Sequence, residues 1–237
     1  AAAPQIAMNE DGVTALVWTR YNGTVWVVQA KLYVNGVWQD TVNLSTPLRD
    51  AFTPQAVVSS SGAVTVVWSR FDGAANANII ESVRYEKGRW SDAVMVSDPV
   101  RDTRFPQLAV DEAGNVTVVW TQANGQLFNI QSRRWLAATG WDANIIALSP
   151  VTQMADTPAV TADSKGTAIA VWSQLQADGL WSIRSRRFSN GSWADANSFA
   201  PGGQSAYTPQ IAADDSGSAT AAWTRTAGVH PATRGTH

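Results

Sequence analysis

Several residue types that serve as catalytic groups or cross-links are absent or scarce in this sequence. It contains no cysteine, which excludes a thiol nucleophile, a disulfide framework and thiolate metal sites. Its two histidines, His230 and His237, both lie near the C-terminal end, so a histidine-based triad or general base is not expected. The aspartates do not have the D-x-D-x-D-G spacing of a calcium loop. We therefore predict no metal site and no cofactor.

Charge and long apolar runs are also in short supply. Charged residues make up 15% of the chain, against roughly 25% in typical soluble domains, and the formal net charge is −2. Such a weak charge provides no attraction to nucleic acid or to an anionic membrane. No run approaches about 18 apolar residues, so no membrane insertion is predicted. The start Ala1-Ala2-Ala3 resembles the remnant of a cleaved signal peptide, which favours a secreted, periplasmic or cell-surface protein.

What the sequence does contain is a repeat, best preserved in Pro106–Trp120, which reads P-Q-L-A-V-D-E-A-G-N-V-T-V-V-W. Degraded copies close on tryptophans at positions 18, 68, 120, 172 and 223, with gaps of 50, 52, 52 and 51 residues. So steady a period indicates one supersecondary unit copied along the chain. We interpret the chain as a single domain of four units, at 4–53, 54–105, 106–157 and 158–208, with a partial unit at 209–237.

The pattern inside each unit is typical of β-strands, with short runs of Val, Ile, Thr and Trp between Gly, Asn and Asp turns. In the third unit the predicted strands are Gln107–Val110, Asn115–Gln122, Leu127–Trp135 and Trp141–Leu148. Four strands in about 50 residues, apolar on both faces, predict a propeller blade with a short innermost strand. No segment has helical periodicity. The predicted fold class is therefore all-β, a β-propeller of five units with the last incomplete.

Two tryptophan ladders run through the units. The first is formed by the closing tryptophans, and the second is formed by Trp38, Trp90, Trp141 and Trp193. Large aromatic side chains at fixed blade positions are predicted to pack between blades.

The fifth unit departs from the pattern after Arg225, because residues 226–237 match neither a third nor a fourth strand. Three explanations remain open: the unit is a remnant of two or three strands, another copy of the protein completes it as a homodimer, or the chain is part of a longer array. An incomplete blade would expose strand edges and apolar faces.

The repeat resembles the P-x-x-I-A-V-D-x-x-G-N-x-x-V repeat of bacterial secreted β-propellers. In layout it is similar to NHL-type blades and, more loosely, to the Asp-box repeats of sialidase-like and lectin propellers. The resemblance covers all five units and implies the fold, whereas propellers with such repeats serve as lectins, glycosidases, scaffolds and adhesion modules. This sequence departs from the Asp box, because the tryptophan follows Gly114 by six residues instead of three.

Repeated polar and aromatic residues are predicted to meet on one rim of the propeller, where the loops entering the first strand and those after the second strand share a face. The donors follow the closing tryptophans and are Arg20, Arg70, Gln122, Gln174 and Arg225. The acceptors are Asp50, Asp102 and Asp156, and the aromatic rings are Phe52, Phe105 and Tyr207. Planar donors, carboxylates and rings suit sugar hydroxyls and C–H faces, and repetition adds avidity. The same side chains could instead hold neighbouring blades together.

The leading functional hypothesis is a non-catalytic, lectin-like propeller that binds glycans at repeated shallow sites. The alternative is a protein-interaction or structural scaffold, which could assemble through its incomplete blade. A glycosidase or sialidase-like enzyme ranks third, since it would need two positioned carboxylates. Repeated equivalent residues favour binding over catalysis, because a catalytic centre usually interrupts a repeat.

Overall fold

The computed structural model describes residues 1–199 and 203–226, which form β-strands throughout and no helix. In these ranges there is accordingly no helix long and apolar enough to cross a membrane. The first unit contains β1 (Ala2–Met8), β2 (Thr14–Tyr21), β3 (Trp26–Val34), β4 (Val37–Trp38) and β5 (Val42–Asn43). The second contains β6 (Ala51–Val58), β7 (Val64–Asp72), β8 (Ala77–Glu86), β9 (Arg89–Trp90) and β10 (Val94–Met95).

The later units repeat this order. The third unit contains β11 (Thr103–Val110), β12 (Val116–Asn124), β13 (Leu127–Leu136), β14 (Gly140–Trp141) and β15 (Ile146–Ala147). The fourth contains β16 (Ala155–Ala162), β17 (Ala168–Leu175), β18 (Trp181–Ser189), β19 (Ser192–Trp193) and β20 (Asn197–Ser198). The fifth contains β21 (Ala206–Ala213) and β22 (Ala219–Arg225). In each of the first four units the predicted fourth strand is broken into two short pieces, both paired with the third strand.

The sheets are antiparallel and pack face to face in chain order. The first strands of successive units contact one another, from β1 and β6 through to β16 and β21. The turns after these five strands line one cavity of about 550 Å³, to which every unit contributes. The units therefore surround a common axis, with the first strands innermost.

The first tryptophan ladder forms the core between units, which confirms its predicted packing. Trp68, Trp120 and Trp172 have no exposed surface. Trp120, for example, packs against Val67 and Ile80 of the preceding unit. In the second ladder Trp90, Trp141 and Trp193 are partly buried against the clusters between units. Each of its four rings also pairs with an aromatic residue on the third strand of its own unit, at centroid distances of 5.3–5.8 Å.

The innermost strands are longer than predicted because each contains a bulge. In the third unit the strand begins at Thr103, four residues before the predicted start, and its pairing shifts between Arg104 and Gln107. The residue before the proline has a positive φ in every unit, at Ala3, Thr53, Phe105, Thr157 and Thr208, with values of 47–54°. Proline has no N–H for the ladder, so it fits a bulge where a regular pair would fail.

The turns after the innermost strands share one side-chain hydrogen bond. In each unit a side-chain oxygen accepts a hydrogen bond from the backbone N–H four residues later. The residues that supply it are Asn9, Ser59, Asp111, Asp163 and Asp214. Neighbouring turns are also joined, because Ser60 Oγ donates to the carbonyl oxygen of Glu112 and Ser164 Oγ donates to that of Asp215.

The fifth unit is a two-stranded sheet that packs on the fourth. No extensive packing joins it to the first unit within residues 1–199 and 203–226. The innermost strand of the first unit is consequently uncovered on one side, with Ile6 and Met8 70% and 68% exposed. Residues 227–237, which include His230 and His237, lie outside the described residues. Completion of this unit by a second copy stays a prediction.

Candidate functional site

The predicted rim exists, because backbone hydrogen bonds join the two sets of loops. Phe71 and Ala123 come directly after Arg70 and Gln122 at the ends of the second strands. Their backbone N–H groups donate to the carbonyl oxygens of Asp50 and Asp102 in the entering loops, both at 2.8 Å. The fourth and fifth units repeat this bond. The entering loops and the ends of the second strands therefore lie at one end of the axis, and we call this end the rim.

Two of the three predicted acceptors fasten adjacent units together. Asp50 Oδ1 accepts from the backbone N–H of Trp26, in the preceding unit, at 2.8 Å. Asp102 Oδ1 accepts from the backbone N–H of Asn78 at 2.8 Å and from its side-chain amide at 2.9 Å. These carboxylates satisfy donors at the start of a third strand, a role that the sequence left open as the alternative to sugar binding.

The predicted donors also differ from one another in what they contact. Gln122 and Gln174 accept hydrogen bonds from the indole N–H of Trp120 and Trp172, at 3.3 and 2.9 Å. Such a bond orients each glutamine and gives the buried indole a partner.

Arg70 is held by acids of its own unit. Its Nε donates to Glu81 Oε1 at 2.7 Å and its Nη2 lies 3.1 Å from Asp72 Oδ2. Burial disfavours the charge of Arg70, but the hydrogen bond and charge of Glu81 outweigh burial, so its pKa is raised. Arg20 and Arg225, in contrast, are exposed.

Exchanging Arg70 and Arg20 for alanine is expected to affect stability very differently. Arg70→Ala leaves the carboxylate of Glu81, whose side chain is 14% exposed, without its cation, and we expect a loss of about 1–3 kcal/mol in the free energy of unfolding. Arg20→Ala, at the equivalent exposed position, should change it by less than about 0.5 kcal/mol. Urea unfolding followed by tryptophan fluorescence measures both, and equal losses would contradict a structural role for Arg70.

The sequence reasoning missed Arg104, which forms the main polar cluster of the rim together with Asp156. Arg104 Nη2 lies 2.7 Å from Asp156 Oδ2 in the next unit, and Thr121 Oγ1 donates to Asp156 Oδ1 at 2.9 Å. The guanidinium carbon of Arg104 lies 3.8 Å from the ring centroid of Phe128 and 5.4 Å from that of Phe105. We call Arg104, Asp156, Phe105 and Phe128 the rim cluster.

Asp156 is not the structural equivalent of Asp50 and Asp102. Counted from the proline, it lies two residues later in its unit, and Met154 occupies the position of those acids. The position of Asp156 is filled in the other units by Ala2, Phe52, Arg104 and Tyr207, so its chemistry changes from unit to unit. This position varies while the proline two residues later is constant. The variation was the signal in the sequence for a cluster that the repeat does not copy.

The predicted aromatic residues all lie on the rim. Phe52 and Phe105 are 38% and 43% exposed. Tyr207 packs at a centroid distance of 5.9 Å from Trp181 in the preceding unit. The rim therefore combines accessible rings with one ion pair, as stacking and hydrogen bonding to a ligand require.

Two further cavities, of about 550 and 630 Å³, lie between the outer edges of the second and third units and of the third and fourth units. In each, an arginine stacks on an aromatic ring of the next unit: Arg84 on Trp135 at 5.2 Å and Arg134 on Phe188 at 3.9 Å. Burial lowers the pKa of both arginines. These contacts hold the outer edges of neighbouring units together.

Comparison with solved structures decides what the five sheets form. An endo-arabinase from Bacteroides thetaiotaomicron matches with a TM-score of 0.55 and 12% identity, over 93% of this chain and 88% of that one. An α-L-arabinanase from Penicillium chrysogenum, complexed with arabinobiose, matches with a TM-score of 0.53 and 11% identity, over 87% of this chain and 65% of that one. The fold is a β-propeller.

A third propeller with a similar structure is an ulvan lyase, bound to a glucuronate–rhamnose sulfate disaccharide repeat. It matches with a TM-score of 0.58 and 9% identity, over 86% of this chain and 60% of that one. No protein-family model and no curated protein matches this sequence. At identities this low, the similarity establishes the fold of the propeller and leaves its activity to its own residues.

The described part of the propeller offers little for metal chemistry. Within residues 1–199 and 203–226, no three His, Asp or Glu side chains lie close enough to hold a metal ion. Of the acids at the rim, Asp50, Asp102 and Asp156 each accept hydrogen bonds from protein groups, and Asp72 is bonded to Arg70.

Proposed function

We propose that this protein is a non-catalytic carbohydrate-binding propeller that binds glycans at its rim. The observation that carries the proposal is the rim cluster, where the ion pair of Arg104 and Asp156 lies among aromatic rings. The side chains of Arg104 and Asp156 are 38% and 22% exposed, so both can reach a ligand while they hold each other in place. A guanidinium and a carboxylate fixed side by side can together donate to and accept from adjacent sugar hydroxyls.

The rings supply the second requirement, a surface for the C–H faces of a sugar. Phe52 and Phe105 are exposed at the rim, and Tyr207 offers both a ring and a hydroxyl. Arg20 and Arg225 add exposed donors, whereas Asp50 and Asp102 support the rim by joining units. The proposal therefore keeps the predicted rim but moves its polar centre to Arg104 and Asp156.

The structural neighbours support a polysaccharide ligand. The two arabinanases and the ulvan lyase named above act on polysaccharides and use the same fold over most of this chain. A polysaccharide ligand also agrees with a location outside the cell, where such polymers occur. Affinity for each sugar unit is expected to be weak, and binding at several points along a polymer would raise it.

The same neighbours favour a second candidate function, glycan cleavage. Glycosidases of the common two-carboxylate type need an acid and a second carboxylate about 5–9.5 Å apart. In the rim cluster Asp156 already accepts from Arg104, Thr121 and the N–H of Thr157, and Asp50 and Asp102 bind backbone donors. The commitment of Asp50, Asp102 and Asp156 to these partners supports binding over cleavage.

A glycan array tests the proposal, with the protein presented multivalently so that weak sites are detected. We expect binding to a related group of glycans, and at least about tenfold weaker binding by the double variant Arg104→Gln/Asp156→Asn, which loses both charges. The control Glu112→Gln removes an exposed charge at the opposite end of the axis and should bind normally.

Two results would overturn the proposal. A blank array with protein that melts cooperatively would favour the interaction or scaffold function. Release of reducing sugar from arabinan or ulvan, or cleavage of aryl glycosides, would show that the protein is an enzyme.

A further inference from the structure

A polar crevice of about 340 Å³ lies beside the rim between the second and third units. Its size is at the lower end of the range of about 300–1,000 Å³ for ligand pockets. Four primary amides of the third unit line it; Asn124 is bonded to Arg101, and the other three are Gln122, Asn129 and Gln131.

These three amides lie on one face of the sheet. Gln122 on β12 lies directly opposite Asn129 on β13, and Gln131 follows Asn129 by two residues, so it points to the same side. Trp120, opposite Gln131, packs against Val67 and Ile80 of the second unit. The amides therefore face the second unit and line the space between the two sheets.

Asn129 places an amide at a repeat position that is apolar in the first two units and is Ser182 in the fourth. Its equivalents in the first and second units are Val27 and Ile79. In all three units the backbone N–H of the next residue donates to a serine Oγ, which establishes the equivalence. All three side chains are buried, with residue exposures of 1%, 2% and 1%. Within the described residues, neither Nδ2 nor Oδ1 of Asn129 has a hydrogen-bond partner. A buried amide needs such partners, so this position calls for a molecule that supplies them.

The neighbouring boundaries close the same space with their own side chains. Between the first and second units, Arg70 and Glu81 replace Gln122 and Gln131 and form an ion pair. Between the third and fourth units, Gln174 donates to Gln153 in the entering loop.

At the boundary between the second and third units, the entering loop bonds Asn124 instead of the other three amides. Arg101, which corresponds to Gln153, donates to Asn124 Oδ1 at 2.9 Å and lies 3.4 Å from Asp98. The third unit alone therefore presents these three amides to an open crevice.

We infer that this crevice binds one neutral sugar ring, as the specific pocket of the glycan site; the inference rests on the proposed function. Each amide offers both donors and an acceptor, which matches hydroxyl groups that donate and accept. The charges in the lining, Arg101 and Asp98, already pair with each other, so the crevice favours an uncharged ligand. Ile145 and Val151 provide apolar contacts for the C–H groups of the ring.

Side-chain amide signals in ¹H–¹⁵N NMR spectra test the inference directly. L-arabinose, D-galactose and L-rhamnose are titrated in turn, with glycerol as a small polyol control. With one of these sugars we expect saturable shifts of the Asn129, Gln122 and Gln131 signals. Asn129→Val, which restores the residue found at position 27, should fold and bind at least about tenfold more weakly. The second variant, Asn129→Ser, introduces the residue that the fourth unit has at this position, and it should weaken binding likewise.

The matched control is Ser182→Val, which introduces the same residue at the equivalent position of the fourth unit. It should leave binding unchanged. Saturable shifts without loss of affinity in Asn129→Val and Asn129→Ser would overturn the inference. The inference would also be overturned if the glycan array were positive and the wild-type protein showed no saturable shifts with any of the three sugars. Water would then satisfy the amides. In either case the proposed function would stand, because its own test is the array and the Arg104→Gln/Asp156→Asn variant.

Discussion

Trp120→Ala is expected to lower the free energy of unfolding by about 3–5 kcal/mol, the range for large aromatic truncations in a packed core. Trp120 has no exposed surface and fills the space between the second and third units, against Val67, Ile80 and Val96. Its removal leaves a cavity that the rigid sheets on either side cannot close. Against a total stability of about 5–15 kcal/mol, the loss would be large.

The matched control for Trp120→Ala is Trp38→Ala, in the second ladder. Trp38 is 46% exposed and pairs with Tyr33 at 5.4 Å, so its removal costs less buried surface. Urea unfolding of both variants, followed by far-ultraviolet circular dichroism, gives the comparison. A loss of less than about 1.5 kcal/mol for Trp120→Ala would show that the boundary between units relaxes, and would contradict the role of the first ladder as a rigid core.

Asp111→Ala is expected to cost about 3–5 kcal/mol, because it leaves a buried cation without its partner. The side chains of Asp111 and Arg134 are 2% and 10% exposed, and Arg134 Nη2 lies 3.5 Å from Asp111 Oδ2. The substitution also removes the hydrogen bonds that Asn115 makes to the carboxylate through its backbone N–H and its side-chain amide, at 2.9 and 3.0 Å.

Asp214→Ala separates the turn from the ion pair. Asp214 makes the same turn in the fifth unit, but it is exposed, so a smaller loss is expected. Hydrogen bonds from the Ser216 hydroxyl and the Ser218 backbone N–H lower its pKa. The contribution of this turn is therefore present above the pKa of the unfolded chain and disappears as the pH falls through the folded-state value.

A double variant completes the test of the buried pair. Asp111→Asn/Arg134→Leu removes both charges, and it should be more stable than Asp111→Ala because no unpaired charge remains buried. Chemical denaturation of Asp111→Asn, Arg134→Leu and the double variant gives the coupling between the two residues. Equal losses for Asp111→Ala and Asp214→Ala would mean that the turn, and not the ion pair, carries the effect.

Much of the architecture could be predicted because its signals are local. Short runs of Val, Ile, Thr and Trp between Gly, Asn and Asp turns predicted the strands, and the spacing of the tryptophans predicted the repeat. The turns at Asp111 and Asp163 are local as well, because each side chain accepts from the backbone N–H four residues later and needs no distant partner. The predicted innermost strands were too short, since a residue before proline normally avoids the left-handed region that Phe105 and its equivalents adopt.

The rim could be predicted only as a region. Its location follows from strand order, which the repeat determines, but the partners of its side chains depend on how two separate sheets face each other. Arg104 and Asp156 are 52 residues apart and meet only because the third and fourth sheets are stacked at the axis. The prediction that Asp156 is equivalent to Asp50 and Asp102 was wrong. The prediction used the composition of the entering loops, and composition does not reveal that Asp156 lies two positions later in its loop.

The sequence by itself determined the all-β class, the units and the buried tryptophans, because hydrophobic periodicity and turn chemistry act over a few residues. Only the tertiary structure decided which polar side chains face a partner and which face a cavity. Gln122, Gln174 and Arg70 occupy one repeat position, yet the first borders an open crevice and the other two are held by neighbouring side chains. The difference arises because the contents of a boundary between sheets depend on both surfaces at once, and no single stretch of sequence contains both.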